Sequence, residues 1–371
     1  MEVSVDNKAL FHLMLLLLSL SFPPSAFGLT CHAGDKQALL GFKARITSDP
    51  SGLLNSWNSS TDCCSWGGIG CDSSSRVVNV SRPGLTSGPF GLDTFMKGTL
   101  SPSLGNLTFL QLLDLSDLKE LTGHIPPEFG KLTRLNYLFL GSNKLTGSIP
   151  TTFRNLSQLK ELYLNNNQIS GTIPSSVFES LRSLTELSLA GNRLSGPIPE
   201  SIGTSSLLTR IYLDANNLSG PLPSSIGKLK LLTDLFLAEN QITGSIPSSF
   251  SGLSSLEYCF LGNNKLTGSL PLYIGTLSNT KGLYLQNNRL TGQLPATIGN
   301  LVNLTDLLLV RNKLSGAIPG NLLNLTALTY FDVSNNNLSG MIPPHTANIS
   351  ASAFKNNSGL CGAPLPPCKH A

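Results

Sequence analysis

The chain is 371 residues long, with a formal net charge of +4 and only 12% of its residues charged. That balance excludes a nucleic-acid-binding arm and a polybasic membrane patch, both of which concentrate Lys and Arg. A globular chain of this length divides into two or three domains unless it is a repeat array, in which each coil buries surface only against its neighbours.

Residues 1–28 read as an export signal: Lys8, an apolar run from Ala9 to Leu20, the helix breakers Pro23 and Pro24, and small Ala26 and Gly28 before a plausible cut. Glu2 and Asp6 are unusual so close to the start. The competing reading, a membrane anchor, needs about twenty apolar residues, and this run is only about a dozen. No comparable run follows Pro343, so the expectation is a secreted chain with no transmembrane segment after cleavage. The seven cysteines fit an oxidising compartment. Cys31, Cys63, Cys64 and Cys71 precede the array and Cys361 with Cys368 closes it, a pattern of end staples. The sequence leaves the pairing open. Cys31 with Cys63 and Cys64 with Cys71 is expected because adjacent cysteines rarely bond each other. Zinc would want Cys-x-x-Cys pairs or several histidines, and His32 alone is near; no metal or cofactor is expected.

Residues 29–76 form an N-terminal cap. From Asp35, a fair N-cap, the residues Leu39, Phe42, Lys43 and Ile46 follow at helical spacing, which predicts an amphipathic helix over the first coil. Trp57 and Trp66 are expected to pack beneath it, a safer reading than ligand aromatics. Residues 77–109 read as a degenerate first repeat: Val78 and Val80 as its strand, Gly98 to Gly105 as its returning half, and Leu85 to Lys97 as an insertion. That loop carries Phe90 and Phe95; disorder or packing against the cap outweighs binding as its reading.

From 110 to 343 one sentence recurs about ten times, L-x-x-L-x-L-x-x-N-x-L-(S/T)-G-x-(I/L)-P, with a period of about 24 residues. In L-x-x-L-x-L the last leucines alternate with one outward residue, the signature of a short strand with one buried face. Stacked coils then make a parallel sheet. Each inward Leu or Ile contributes about 1.5–3 kcal/mol of burial against about 1–2 kcal/mol of ordering cost for every backbone residue, so a lone coil cannot stay folded. The recurring Asn, at 143, 167, 192, 216, 240, 264, 288, 312 and 336, sits where the chain leaves the strand. Its amide both donates and accepts, satisfying backbone groups that the turn buries. Gly then permits the tight turn and Pro ends the hydrogen bonding. Two departures predict small bulges: an extra residue with no ladder Asn between Leu115 and Leu121, and a long coil at Ser175 to Ser183. Cys259 stands at a core leucine position and reads as a buried, inert thiol. Residues 344–371 form the C-terminal cap and tail, with Phe354 and the Cys361 to Cys368 loop over the last coil.

Asn-x-Ser/Thr sequons fall at Asn58, Asn79, Asn106, Asn155, Asn217, Asn303, Asn324, Asn337, Asn348 and Asn356. Several arise because Asn-Leu-(S/T) is built into the repeat. Asn106, Asn155, Asn303 and Asn324 are expected on the returning half, away from the strands.

The outward strand residue forms a column: Asp114, Phe139, Tyr163, Ser188, Tyr212, Phe236, Phe260, Tyr284, Leu308, Asp332. Beside it runs a mixed, acid-leaning lane of Tyr137, Glu161, Glu186, Arg210, Asp234, Tyr258, Asp306 and Tyr330, and on the other side stand Asn165, Asn166, Asp214, Glu239, Gln286 and Arg311. Rigid aromatics flanked by polar groups have the make-up of a protein-binding hot spot. About ten strands spaced about 4.8 Å, each exposing about five residues, offer on the order of 800 Å², one partner's share of a standard interface. The alternative is that aromatics merely suit strands, but an uncovered apolar column is a liability without a partner. Catalysis finds no foothold. The five histidines, His12, His32, His124, His345 and His370, fall in the signal, the caps, the tail and one turn, none on the strand face, so no Ser/His/Asp or Cys/His relay is expected there. Glu161 and Glu186, neighbours across coils, mimic a glycosidase pair, yet an open sheet is expected to leave both solvated.

The cap, with Asp35-Lys36-Gln37-Ala38-Leu39-Leu40, Trp57 and Asp62-Cys63-Cys64-Ser65-Trp66-Gly67-Gly68-Ile69-Gly70-Cys71, resembles the N-terminal domain of plant extracellular leucine-rich-repeat proteins. With the plant-type repeats and the ending Gly359-Leu360-Cys361-Gly362-Ala363-Pro364-Leu365-Pro366-Pro367-Cys368, the chain is similar to the polygalacturonase-inhibiting proteins, although those usually carry four cysteines in the C-terminal cap. The resemblance implies an α/β repeat solenoid, a right-handed leucine-rich-repeat superhelix with a concave parallel β-sheet. It further implies an apoplastic or wall-bound protein whose concave face grips a microbial polygalacturonase. The competing role is a receptor-like module that presents a peptide or joins a receptor kinase ectodomain. A third, structural role has Lys and Arg on the outer flanks bind pectin and release it in high salt.

Overall fold

The computed structural model describes residues 30–84, 94–345 and 349–368. The expected export signal, Phe90 and the sequon at Asn348 lie outside them. Most coils contribute to three stacks: a long sheet, a run of short lateral strands, and a column of single 3-10 turns on the returning side.

The long sheet has 12 strands: β1 (Ile69–Cys71), β2 (Val77–Ser81), β3 (Leu112–Asp114), β4 (Tyr137–Phe139), β5 (Glu161–Tyr163), β6 (Glu186–Ser188), β7 (Arg210–Tyr212), β8 (Asp234–Phe236), β9 (Tyr258–Phe260), β10 (Gly282–Tyr284), β11 (Asp306–Leu308) and β12 (Tyr330–Asp332). Only β1, from the cap, runs antiparallel to its neighbour. From β2 onward every pair is parallel and in step, so Leu162, Leu187, Ile211, Leu235, Cys259, Leu283, Leu307 and Phe331 form one row. That row is buried throughout, and Cys259 takes its place in it as the sequence implies. Burial pushes the Cys259 thiol up to about 12, so it stays protonated and unreactive.

After each strand the ladder Asn locks two coils together. The Asn216 amide donates to the carbonyls of Leu189, Leu213 and Asp214 at 3.0–3.2 Å, while its oxygen accepts from Leu194 N at 2.9 Å. The residue just before it takes a left-handed backbone in nearly every coil, including Ala215 (φ 52), Glu239 (φ 57) and Arg311 (φ 56). Lateral strands such as Asn217–Pro221 and Gln241–Thr243 then form three four-stranded sheets. The repeat Pro follows each lateral strand by a few residues and leads into the returning turn, as at the 3-10 turn Ser224–Lys228, where Pro223 holds φ −66.

Both irregular coils are explained. Where the coil from Ser175 is long, the 3-10 turn becomes an α-turn, Ser175–Phe178. The extra residue after Leu115 is absorbed by two left-handed residues, Asp117 and Lys119. Without a regular coil behind it, Asn143 keeps its donor bonds to Leu115, Leu140 and Gly141 but its buried oxygen finds no donor.

The N-terminal cap departs from expectation in two ways. Helix α1 spans Ala33–Lys43 with His32 at its N-cap, and Asp35 lies inside the first turn. There the buried Asp35 carboxylate accepts from Arg76 Nε and Nη2 and from Val77 N, all at 2.9 Å, so it anchors the first coil and caps nothing. Ile46 has left the helix: the strand Ile46–Ser48 pairs antiparallel with Met96–Thr99. The expected insertion therefore ends earlier than Lys97, because Met96 and Lys97 already belong to the first lateral strand, with Phe95 partly exposed beside it. Beneath α1, Trp57 and Trp66 stack at 5.6 Å and both are buried. Cys31 is bonded to Cys63, Cys64 to Cys71 and Cys361 to Cys368, so the close sulfurs of Cys31, Cys63 and Cys64 are no thiolate set for a metal. At the far end Phe354 packs on Phe331, ring centres 5.6 Å apart, and Asn357 repeats the ladder geometry by accepting from Leu338 N at 3.0 Å.

Candidate recognition surface

Side chains alternate along a strand, so the first and third residues of each three-residue strand leave the core together. Translational register makes two parallel rows of them. One runs Tyr137, Glu161, Glu186, Arg210, Asp234, Tyr258, Gly282, Asp306, Tyr330 and the other Phe139, Tyr163, Ser188, Tyr212, Phe236, Phe260, Tyr284, Leu308, Asp332.

The aromatic row is not one continuous column. Ser188 is buried and divides it. On the N-terminal side Phe139 is only 4% exposed, with Tyr137 at 6.1 Å and Tyr163 edge-on at 5.2 Å. It belongs to the core of the sheet face and offers little to a partner, which corrects its assignment as a contact residue. On the C-terminal side four half-buried rings form a shelf: Tyr212 to Phe236 at 4.9 Å, Phe236 to Phe260 at 4.2 Å, and Phe260 to Tyr284 at 4.0 Å, the last pair only 7° from parallel. Gly282 makes the shelf possible. A Cβ there would meet Tyr284 Cε2 at 2.5 Å and Tyr258 Cδ1 at 2.8 Å, so the two tyrosines lean over the space a side chain would fill. Burial raises Tyr212 and Tyr284 to about 12, and Tyr284 hydrogen-bonds Asp306.

The charged row is a network. Glu186 accepts from the Tyr163 hydroxyl on one oxygen and from Arg210 Nη1 at 2.5 Å on the other, and Arg210 Nε reaches Asp234 at 3.4 Å. Burial opposes the Arg210 charge, but Glu186 and Asp234 outweigh it and its pKa rises. Asp234 also accepts from the Thr233 hydroxyl at 2.8 Å, yet its burial still leaves it above the usual carboxylate range. Glu161, paired in register with Glu186, has a buried Oε2 with no donor. Burial first, and the Glu186 charge second, raise it to about 7. The expectation that an open sheet leaves both carboxylates solvated is thus wrong: neighbouring rings and side chains shield them. The pair still lacks a glycosidase's geometry, because Glu186 is engaged by Tyr163 and Arg210. The hollow of about 630 Å³ lined by Pro271, Leu272, Pro295 and Pro319 lies elsewhere, on the returning half.

Along the other margin Asn166, Glu239 and Arg311 prove to be the left-handed corner residues, Asp214 is raised by burial, and the Gln286 oxygen is buried without a donor. Among the sequons, Asn106 and Asn155 end 3-10 turns on the returning side and are exposed, as is Asn324. Asn303 is exposed too, its amide donating to Ser278 O. Asn217 and Asn337 begin lateral strands, and Asn356 bonds Asn335. Asn58 is tied into a turn with Ser60 and Thr61, and Asn79 is half-buried within β2.

Among the described residues no helix is long and apolar enough to cross a membrane. The family model described as leucine rich repeat N-terminal domain matches residues 32–72. Models described as leucine rich repeat match four overlapping stretches between residues 110 and 266, then 279–301 and 327–349. A polygalacturonase inhibitor of Vitis vinifera is 33% identical over 127 residues, 34% of this chain and 35% of that protein. The chain spans only about a third of the length of the first curated relatives it matches. Among solved structures, the PEPR1–AtPEP1 complex superimposes with TM-score 0.73 and 34% identity over 84% of this chain and 46% of that one. A plant ice-binding protein superimposes with TM-score 0.67 and 30% identity over 92% of this chain and 99% of that one.

Proposed function

The chain belongs to the plant leucine-rich-repeat proteins, and from that premise we propose that it is a secreted, non-catalytic recognition protein whose concave sheet face binds another protein, with a microbial polygalacturonase as the partner. The observation that carries the reading is the shelf of Tyr212, Phe236, Phe260 and Tyr284. Rings already fixed against one another by stacking lose little entropy on binding, and the flanking Arg210, Asp234, Tyr258 and Asp306 supply a polar rim. Glu161, Glu186 and Tyr163 extend that rim toward the N-terminal end. Glycans on Asn106, Asn155 and Asn324 would leave this face free. The test is inhibition: purified glycoprotein is titrated into several fungal endopolygalacturonases. Slowed pectate hydrolysis, relieved by Phe236→Ala with Phe260→Ala, is expected. Full enzyme activity across the panel at micromolar protein overturns the inhibitor role.

A second reading, a receptor-like module that binds a peptide or a receptor kinase ectodomain, draws on the Arabidopsis receptor kinase HAESA ectodomain in complex with a peptide hormone ligand, which superimposes with TM-score 0.70 over 83% of this chain. Capture from plant membranes by the native protein, and its loss when Tyr212, Phe236 and Phe260 are changed to Ala, would favour it over the inhibitor. The end-to-end likeness to an ice-binding protein calls for one further control, ice recrystallisation with the same preparations. Activity there that ignores the shelf variants would move the working surface off the concave face.

A further inference from the structure

Asp234 of β8 and Asp306 of β11 hold the same repeat position, and each follows a threonine whose hydroxyl donates to the carboxylate, Thr233 at 2.8 Å and Thr305 at 2.5 Å. They differ in what the preceding coil sets beside them. In register with Asp234 stands Arg210, whose Nε reaches the carboxylate at 3.4 Å. In register with Asp306 stands Gly282, which has no side chain to offer. Lys281, the cation next to it in the chain, is paired with Glu257 at 2.6 Å instead. Among the described residues no Lys, Arg or His comes within ion-pair distance of Asp306. Its neighbour from the preceding coil is the Tyr284 hydroxyl, which donates to it.

The surroundings of this carboxylate are aromatic. Along its row the order is Tyr258, Gly282, Asp306, Tyr330. Tyr258 and Tyr284 lean over Gly282, where a Cβ would meet their rings at 2.8 and 2.5 Å. Phe260 covers one face of Tyr284, 7° from parallel at 4.0 Å, which leaves the opposite face toward the coil of Asp306. On the far side of Asp306 the Tyr330 side chain is 66% exposed. The result is a slot with a carboxylate between phenol rings.

Such a slot attracts a cation twice, through the carboxylate charge and through the negative faces of the rings. A planar guanidinium suits it better than an ammonium, because it stacks on a ring while its N–H groups fork onto the carboxylate. A bare divalent metal ion needs more oxygen donors than one carboxylate presents. We propose that Asp306, flanked by Tyr258, Tyr284 and Tyr330, receives an arginine side chain of the protein partner, which takes the place that Arg210 fills beside Asp234. The assignment rests on the sheet face being a protein-binding surface and adds the chemistry of one contact: the partner presents an arginine at the C-terminal end of the ring shelf.

The full secreted protein is titrated with the peptide acetyl-Gly-Arg-Gly-amide while NMR follows the Gly282 and Asp306 amides. The citrulline peptide, of the same shape without the charge, is the neutral control. The arginine peptide should shift both amides saturably, the citrulline peptide should bind at least tenfold more weakly, and the lysine peptide at least threefold more weakly. Asp306→Asn keeps an oxygen for Thr305 and Tyr284 to donate to and should still weaken arginine binding at least tenfold; Tyr330→Leu should weaken it at least threefold. Asp332→Asn removes the same charge from the next strand, where the carboxylate accepts from Ser334 N at 2.8 Å, and should change binding less than twofold. Equal losses for Asp306→Asn and Asp332→Asn would mean a diffuse acidic field and overturn the slot. So would undiminished binding by Asp306→Asn, or equal binding of the citrulline or lysine peptide. The probe is a peptide and not an enzyme, so a panel of uninhibited polygalacturonases and a failed peptide titration are told apart. An unaltered thermal melt verifies that each variant is folded.

Discussion

The Tyr163 hydroxyl donates to Glu186 on the neighbouring strand, and the Glu161 carboxylate beside them is left with a buried oxygen that no group serves. Burial and the Glu186 charge hold Glu161 near 7, above the 4.5 of an unfolded chain. A carboxyl whose folded pKa is raised binds its proton more tightly in the native state, so stability is fully present below about 4.5 and falls as pH rises through about 7. The loss is on the order of one to a few kcal/mol, since a tenfold change in proton affinity corresponds to about 1.4 kcal/mol and partial solvent access discounts it. Glu161→Gln should flatten this part of the profile, matching the native protein at pH 4 and exceeding it at pH 8. Urea melts at pH 4, 6 and 8 decide it; parallel profiles for the two proteins would mean that Glu161 is ordinary.

Phe139 and Phe260 occupy the same repeat position and should respond in opposite ways. Phe139 is enclosed by Tyr137 and Tyr163, so Phe139→Ala should cost about 3–5 kcal/mol of stability and affect a partner only through folding. Phe260→Ala removes two stacked contacts, about 0.5–1.5 kcal/mol each, and opens the middle of the shelf. Its stability loss should be the smaller, its loss of partner affinity at least tenfold. Thermal melts and partner titrations on the two variants, side by side, are the measurement; a reversed order would place the binding surface elsewhere.

That contrast also marks what the residues alone reveal. The coil, its inward leucines and the Asn ladder are legible because one period recurs and burial alternates with it, and even Cys259 follows from its register. Phe139 and Phe260 are indistinguishable by that logic; their difference comes from neighbours across strands, Tyr137 and Tyr163 closing over one ring while Phe236 and Tyr284 flank the other. Asp35 looks like a helix cap because Asp often is one, and it becomes an anchor only because Arg76 and Val77 N arrive from the first coil. Asn357 escapes the ladder register because the cap coil is shorter than the rest. The left-handed corners are visible only where Asn or Gly stands, and at Ala215, Glu239 and Arg311 the stack imposes that backbone against local preference.

The ladder should be uneven along its length. Asn240→Ala would strip donors from the carbonyls of Leu213, Leu237 and Ala238 and the acceptor from Leu218 N, all inside the wall. Each buried group left unsatisfied costs about 1–3 kcal/mol, enough in sum to loosen the array around β8. Asn143→Ala should be milder, since the Asn143 oxygen has no donor to lose. Hydrogen exchange at the Leu218 amide reports the first directly; protection there unchanged by Asn240→Ala would deny the ladder its structural weight.

Gly282 offers the sharpest test of the shelf, because a single methyl group acts on it without touching the core. The Cβ of Gly282→Ala would lie 2.5 Å from Tyr284 and 2.8 Å from Tyr258, closer than such atoms approach, so both rings must swing outward. Tyr284 would then lose its near-parallel contact with Phe260 and its hydrogen bond to Asp306. The inward Leu283 of the same strand keeps its place in the core row, so the fold should lose about 1–2 kcal/mol. Partner affinity should fall much further, by tenfold or more, and Phe260→Ala added to Gly282→Ala should cost less than the two losses summed, because both break the same stack. A double-mutant cycle on partner binding gives the answer. Strictly additive losses would show that the four rings act separately and that their alignment across coils contributes nothing to recognition.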